Sequence, residues 1–294
     1  VRRRGRSLTT IGLLASGVFL VVAIGAFRMD AERDASRRSS GTGGFALLAE
    51  SSLPVSADLN TPAGLEFFGL GTNDLPGVSV VSFRVREGDD ASCLNLNRAQ
   101  RPRILGVDPS VLESRGAFRF ASVAAGAGGK GWGMLKEQGI PPKGEDDGVP
   151  EYPAIGDAAS IQWALGKKVG DVLELSDERG RFRLRLVGGL ANSVLQGNLV
   201  VDEAVFGRLF PSETGYRYFL IDAPAAGAGE ASATLSRALQ DVGLEVVPAS
   251  RRLAEFNAVQ NTYLNTFQVL GGLGLLLGSA GLGVVVLPNV LERR

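Results

Sequence analysis

The 294-residue chain has no histidine, one cysteine, two methionines and two tryptophans, and each shortage removes a class of chemistry. Without histidine there is no Ser-His or Cys-His nucleophile pair, and the usual zinc ligand sets are out of reach. Most hydrolase mechanisms end there. The lone cysteine, Cys93, excludes an internal disulfide and leaves the redox compartment unmarked; with no activating partner in sight it reads as an ordinary buried or half-buried residue. Basic and acidic residues balance at 31 each, but Arg2, Arg3, Arg4, Arg6, Arg293, Arg294 and Glu292 sit at the two ends. Setting aside those six bases and that one acid leaves 25 bases against 30 acids between them. A mildly acidic middle lacks the basic surface that displaces phosphate counterions, so no nucleic-acid partner is expected.

Charge is also missing from one long stretch. Between Glu255 and Glu292 no residue is ionised, and residues 264–287 read LNTFQVLGGLGLLLGSAGLGVVVL. At about 1.5 Å per residue a helix of that length covers a hydrocarbon layer of roughly 30 Å without desolvating an ion. The expectation is a membrane-spanning helix over 264–287. Lipid gives helices no hydrophobic reason to associate, so small residues that allow close backbone approach do that job. Gly274 and Gly278 form a GxxxG spacing and are the candidates for a helix-packing face, although glycine is commoner in membrane helices generally.

A second uncharged run, 8–27, follows the N-terminal arginines and is also long enough to span. A cleavable signal peptide is its rival; the length of the run and the want of an A-x-A-type site favour an anchor. Arginines before residue 8 and at 293–294 put both ends in the cytoplasm by the positive-inside tendency. Residues 1–7 then form a basic cytoplasmic N-terminus, 28–44 a Ser/Gly/Arg linker, 45–249 an extracytoplasmic domain, 250–263 a stalk helix and 288–294 a cytoplasmic end.

Within the domain, strand patterns appear at 45–50, 78–85, 103–107, 118–123, 216–222 and 244–247. Short helices are expected at 62–68, with Thr61 as N-cap and Pro62 in first position, at 109–114, at 157–165 capped by Asp157, after Asp202, and at 230–242. Residues 171–176 and 181–187 alternate around Asp177–Gly180 and read as a β-hairpin. Its polar face carries Arg181, Arg183 and Arg185; these suit an anionic substrate or headgroup, or pair across the strands with Glu174 and Asp177. The glycine-rich 124–133 is not a phosphate loop: Ala124 stands where its first glycine belongs and Gly131 where a serine or threonine binds magnesium. It reads as a flexible surface loop, and 141–150 as a solvated one whose carboxylates lack calcium-loop spacing. The fold class is α+β, a mixed domain of β-α-β units plus a hairpin subdomain between two transmembrane helices.

The terminal segment NTYLNTFQVLGGLGLLLGSAGLGVVVLPNVLERR resembles FtsX-like permease subunits of ABC transporters, and the preceding domain is similar to the MacB-like periplasmic core domain. Carrying the likeness are Ile155-Gly156-Asp157, Leu165-Gly166, Val169-Gly170-Asp171, Val187-Gly188-Gly189, Gln196-Gly197, Phe210-Pro211 and Gly215-Tyr216-Arg217. The resemblance implies a non-enzymatic permease subunit of the inner membrane, multi-pass, its main domain extracytoplasmic. It also implies a cytoplasmic ABC ATPase as partner, pairing with a second permease half or dimerisation, and contact with the lipid bilayer. No cofactor and no catalytic or metal-binding residue follows from it. Such permeases continue past the LERR-like segment, so a fragment of a longer permease is expected, and Pro288 is a departure that would end or kink the helix. Two other functions stay open. One is a membrane-tethered sensor or ligand-binding module; the other is a carboxylate-only enzyme, for which the spacing of Asp89, Asp90, Asp146 and Asp147 gives no support.

Overall fold

The computed structural model describes residues 11–12, 15–19, 21–23, 35–89, 101–127, 131–136, 148–177 and 180–291, the last with side chains up to 281 apart from 259–260. Contacts divide the chain into two units, 31–256 and a second made of 1–30 with 257–294.

The first unit is built on a ten-stranded mixed sheet. Its strands are β1 (Leu47–Val55), β2 (Ser79–Arg86), β3 (Arg103–Val107), β4 (Phe120–Val123), β5 (Glu151–Asp157), β6 (Val172–Asp177), β7 (Gly180–Leu190), β8 (Asn198–Asp202), β9 (Tyr216–Asp222) and β10 (Leu244–Pro248). Their order is β10-β1-β9-β2-β3-β8-β5-β7-β4, with β6 also on β7. One half, β10 to β2, is antiparallel throughout. The other mixes parallel pairs, β3 with β8 and β5 with β7, with antiparallel ones. The halves meet where β2 pairs with β3 through Arg84–Gly106, Val85–Leu105 and Arg86–Ile104.

Side-chain alternation sorts the strands into layers. Leu48, Val81, Phe83, Leu105, Val200, Ile155, Tyr218 and Leu220 face one cluster that runs under both halves. Their neighbours face outward into separate clusters: Leu47, Ala49, Val80, Phe219 and Ile221 in the antiparallel half, Ile104, Leu199, Val201, Leu184 and Leu186 in the mixed half. On β7 the register with β5 slips after Leu186, and the same strand then turns Val187 and Leu190 to the shared cluster. A one-residue bulge reverses which face a strand buries.

The helices are short, and local chemistry starts them. Helix α1 (Pro62–Phe67) has Pro62 in its first turn and Thr61 Oγ accepting from Gly64 N. Helix α2 (Pro109–Arg115) is capped by Asp108 and closed by left-handed Gly116; α3 (Glu203–Leu209) is capped by Asp202. Helix α4 (Ala228–Ala238) connects β9 to β10, which flank β1 and run parallel to each other. Helix α5 (Ala249–Leu291) is continuous for 43 residues and passes through Gly271 and Pro288.

Several expectations change. The strand at 151–157 carries no alternation because it is covered on both faces, and the helix expected at 157–165 is reduced to a π-turn, Ser160–Ala164, after two helical residues. The helix expected over 230–242 gives way after Ala238 to a 3₁₀ turn, Gln240–Val242. The glycine-rich 124–133 is not wholly a surface loop: Gly131–Lys136 is a 3₁₀ segment that buries Trp132, Met134 and Leu135 in the shared cluster. The linker expected at 28–44 is packed where it is described, since Thr42 is buried and Val194 N donates to Gly41 O at 2.8 Å. The hairpin is no separate subdomain, because β7 also pairs with β5 and β4.

In the second unit, residues 11–12, 15–19 and 21–23 are helical. A Cβ on Gly17 would lie 3.1 Å from Leu275 Cδ1, and one on Gly271 would lie 3.4 Å from Val21 Cγ2. The two helical stretches therefore touch through glycine. Among the described residues no helix is long and apolar enough to cross a membrane. Much of the expected span at 8–27, and the side chains of the other beyond 281, lie outside the described residues.

Candidate functional site

At the junction of the two sheet halves lies a cleft of about 460 Å³. Its walls come from five strands, the segment after β2 and a helix: Glu50 to Ser52 on β1, Glu87 and Gly88 after β2, Arg103 on β3, Asn198 on β8, Arg217 and Tyr218 on β9, Glu245 on β10, and Arg252 and Phe256 on α5. Arg217 and Tyr218 are successive residues of β9 beside the register shift in its pairing with β1, and both line the cleft; Tyr218 is buried in the shared cluster.

Arg103 is the centre. Its Nη2 donates to Glu50 Oε2 at 3.0 Å, and its guanidinium carbon lies 5.8 Å from the Tyr218 ring centre. Burial pulls its pKa down, but Glu50 and Glu87 outweigh that and leave it raised, so the cation persists at any working pH. Arg217 Nε donates to Ser51 O at 3.3 Å, and its Nη2 meets Glu87 Oε1 at 2.9 Å. Tyr218 Oη donates to Val194 O at 3.2 Å; burial, with Glu50 nearby, drives its pKa up and keeps the phenol neutral.

The floor is the loop 191–197, set by a buried carboxylate. Asp157 Oδ2 accepts from Ser193 N at 2.6 Å and from Ser193 Oγ at 2.9 Å, and Oδ1 accepts from Ala159 N at 3.0 Å. Gly197 N donates to Ser160 Oγ at 2.9 Å. Burial raises the Asp157 pKa against the pull of those donors. Asp157 was legible as a helix cap; its hold on a loop 36 residues away was not.

Of the packing candidates, a Cβ on Gly274 or Gly278 would meet none of the described residues within 4 Å; among those residues the contact falls on Gly271 instead. The arginine stripe of the hairpin is divided among carboxylates: Arg183 pairs with Glu174 at 2.9 Å and Arg185 with Glu151 on β5. Asp89 accepts from Arg101 N at 2.9 Å, while Cys93, Asp90, Asp146 and Asp147 lie outside the described residues. Among the described residues no group of three acidic, histidine or cysteine side chains is placed to hold a metal. None of the cleft arginines was read as a site residue, Arg217 standing only in the run Gly215-Tyr216-Arg217 of the resemblance, and their spacing (103, 217 and 252) carries no signal.

No family model matches the chain, and no curated protein matches significantly. Among solved structures, the chain is similar to the periplasmic region of MacB from Actinobacillus actinomycetemcomitans, with 9% identity and a TM-score of 0.38 over 79% of this chain and 99% of that one. It is also similar to the extracellular domain of the noncanonic ABC-type transporter YknZ from Gram-positive bacteria, with 12% identity and a TM-score of 0.29 over 69% and 99%. At this identity and score these likenesses assign neither family nor activity.

Proposed function

We propose that the chain is a permease subunit of an ABC-type transporter of the MacB/FtsX-like kind, held in the plasma membrane with residues 45–249 outside the cytoplasm. In this reading a separate cytoplasmic ATPase supplies the energy, and the chain converts its cycle into movement of the outer domain. One observation carries it: α5 begins as part of the domain core, with Ala249 and Leu253 in the shared cluster, and continues through an uncharged stretch as the same helix. An unbroken helix passes displacement along its axis without a joint to absorb it. From 263 to 277 it exposes Tyr263, Phe267, Val269, Leu270, Leu273, Leu276 and Leu277. In water that is unfavourable by roughly 1–2 kcal/mol per side chain, and lipid removes the cost. The sequence resemblance of 261–294 to FtsX-like permeases supports the same conclusion.

The test is affinity purification from membranes of the source cell. A stoichiometric ATP-binding subunit is expected in the eluate; its absence from an extract in which the chain is intact would overturn the reading. The charged cleft favours a second reading, a membrane-tethered ligand-binding module, which predicts the chain alone.

A further inference from the structure

Arg103 on β3 and Arg217 on β9 converge on one carboxylate, Glu87, at 3.3 and 2.9 Å. The two cations are more enclosed than the anion. Glu50 and the Tyr218 ring hold Arg103, and Ser51 O holds Arg217, so their side chains are only 18% and 25% exposed, whereas Glu87 is 55% exposed. Nε of Arg103 is buried and makes no hydrogen bond, because its approach to Glu87 is close without being aligned. A buried guanidinium N–H with no acceptor is a donor waiting for a better-placed oxygen. Two guanidinium groups meeting at one cleft match the oxygens of a tetrahedral oxyanion; Arg252 on the same wall is held by Glu255 at 3.1 Å and is left out of the site.

We infer that the cleft binds a phosphate-bearing ligand whose phosphate sits between Arg103 and Arg217 in place of the Glu87 carboxylate, with Glu87 as a built-in competitor. A cleft of about 460 Å³ is larger than a phosphate alone, and Ser51, Gln196, Asn198 and Glu245 make the remaining wall polar. The ligand is therefore a phosphate ester with a polar, hydroxyl-bearing body, either a free small molecule or a lipid headgroup. Binding of this kind does not depend on the transport reading.

The experiment is calorimetric titration of the full chain in a phosphate-free maltoside detergent, using inorganic phosphate, glycerol 1-phosphate and short-chain phosphatidylglycerol. Saturable binding of phosphate is expected. Glu87→Gln tightens it about tenfold by removing the competitor's charge, and Arg217→Gln weakens it about tenfold. Tighter binding of phosphatidylglycerol than of glycerol 1-phosphate identifies a headgroup as the source, and equal or weaker binding a free ligand; both support the site. No binding by either the wild type or Glu87→Gln up to about 10 mM overturns the inference. So does binding that Arg217→Gln leaves unchanged. The two variants act in opposite directions, so loss of folding in one cannot imitate the result.

Discussion

Residues 31–256 and the helix beyond them treat large apolar side chains in opposite ways. The folded unit buries its own: Phe83, Leu105, Trp132, Leu184 and Phe219 are nearly inaccessible, and Trp163 and Phe67 are its conspicuous exceptions. Along α5 from 263 to 277 almost every large apolar residue is exposed, and no charge accompanies it. The first region covers its own large apolar side chains, whereas along the second they lie uncovered by any of the described residues. One sequence thus holds two solvation strategies, and they meet within a single helix.

The contrast is broken most severely in the core of the folded unit. Trp132→Ala removes a ring that packs edge-on against Phe118 and Phe120 and whose Nε1 donates to Ala117 O. A loss of about 3–5 kcal/mol is expected, read as a drop in the melting temperature of the domain, while Leu276→Ala leaves that melt within about 0.5 kcal/mol. Next comes the buried carboxylate. Asp157→Ala leaves the donors of Ser193 and Ala159 without an acceptor and costs about 3 kcal/mol, whereas Asp157→Asn keeps one acceptor oxygen. Because the folded-state pKa of Asp157 is raised, its ionised form is the destabilised one. The penalty is absent well below the ordinary carboxylate range and grows as pH rises through the folded-state value. The melting difference between Asp157→Asn and the wild type therefore favours the variant more at pH 8 than at pH 4.

Glycine sharpens the comparison further. A Cβ on Gly106 would lie 2.5 Å from Phe206 Cβ and Cγ, so Gly106→Ala costs about 1–3 kcal/mol, visible in a denaturant midpoint. Gly274→Ala and Gly278→Ala meet none of the described residues and leave the domain's midpoint unchanged. If those glycines form a partner face, Gly274→Leu dissociates the assembly on a sizing column, and an unaltered elution volume refutes that role. The smallest effect belongs to the surface pair Arg183–Glu174, where Glu174 is largely exposed; Glu174→Gln shifts stability by no more than about 0.5 kcal/mol.

What could be read from the sequence was local. β3 and β9 match the expected 103–107 and 216–222, and the caps Thr61 and Asp202 act where a cap residue ahead of an apolar turn places them. The hairpin alternation survives as Phe182, Leu184 and Leu186 buried against the mixed half. β5 escaped because a strand buried on both faces has no polar alternation, and Pro153 and Gly156 are residue types that weaken a strand pattern. The spacing of Trp132, Met134 and Leu135 was the one hint of burial in a glycine-rich segment. The cleft was invisible for a deeper reason: its arginines come from strands that are neighbours only through the sheet order, which no short-range pattern encodes.

The most direct measurement places a nitroxide at Leu273→Cys in the full chain, with Cys93 replaced by serine, and compares collisions with oxygen and with a polar nickel chelate in reconstituted bilayers. The account predicts that oxygen dominates at 273, 276 and 277, and that the chelate dominates at the exposed Arg251. Chelate-dominated relaxation at 273 would mean that α5 lies in water, and the lipid medium proposed for it would fall.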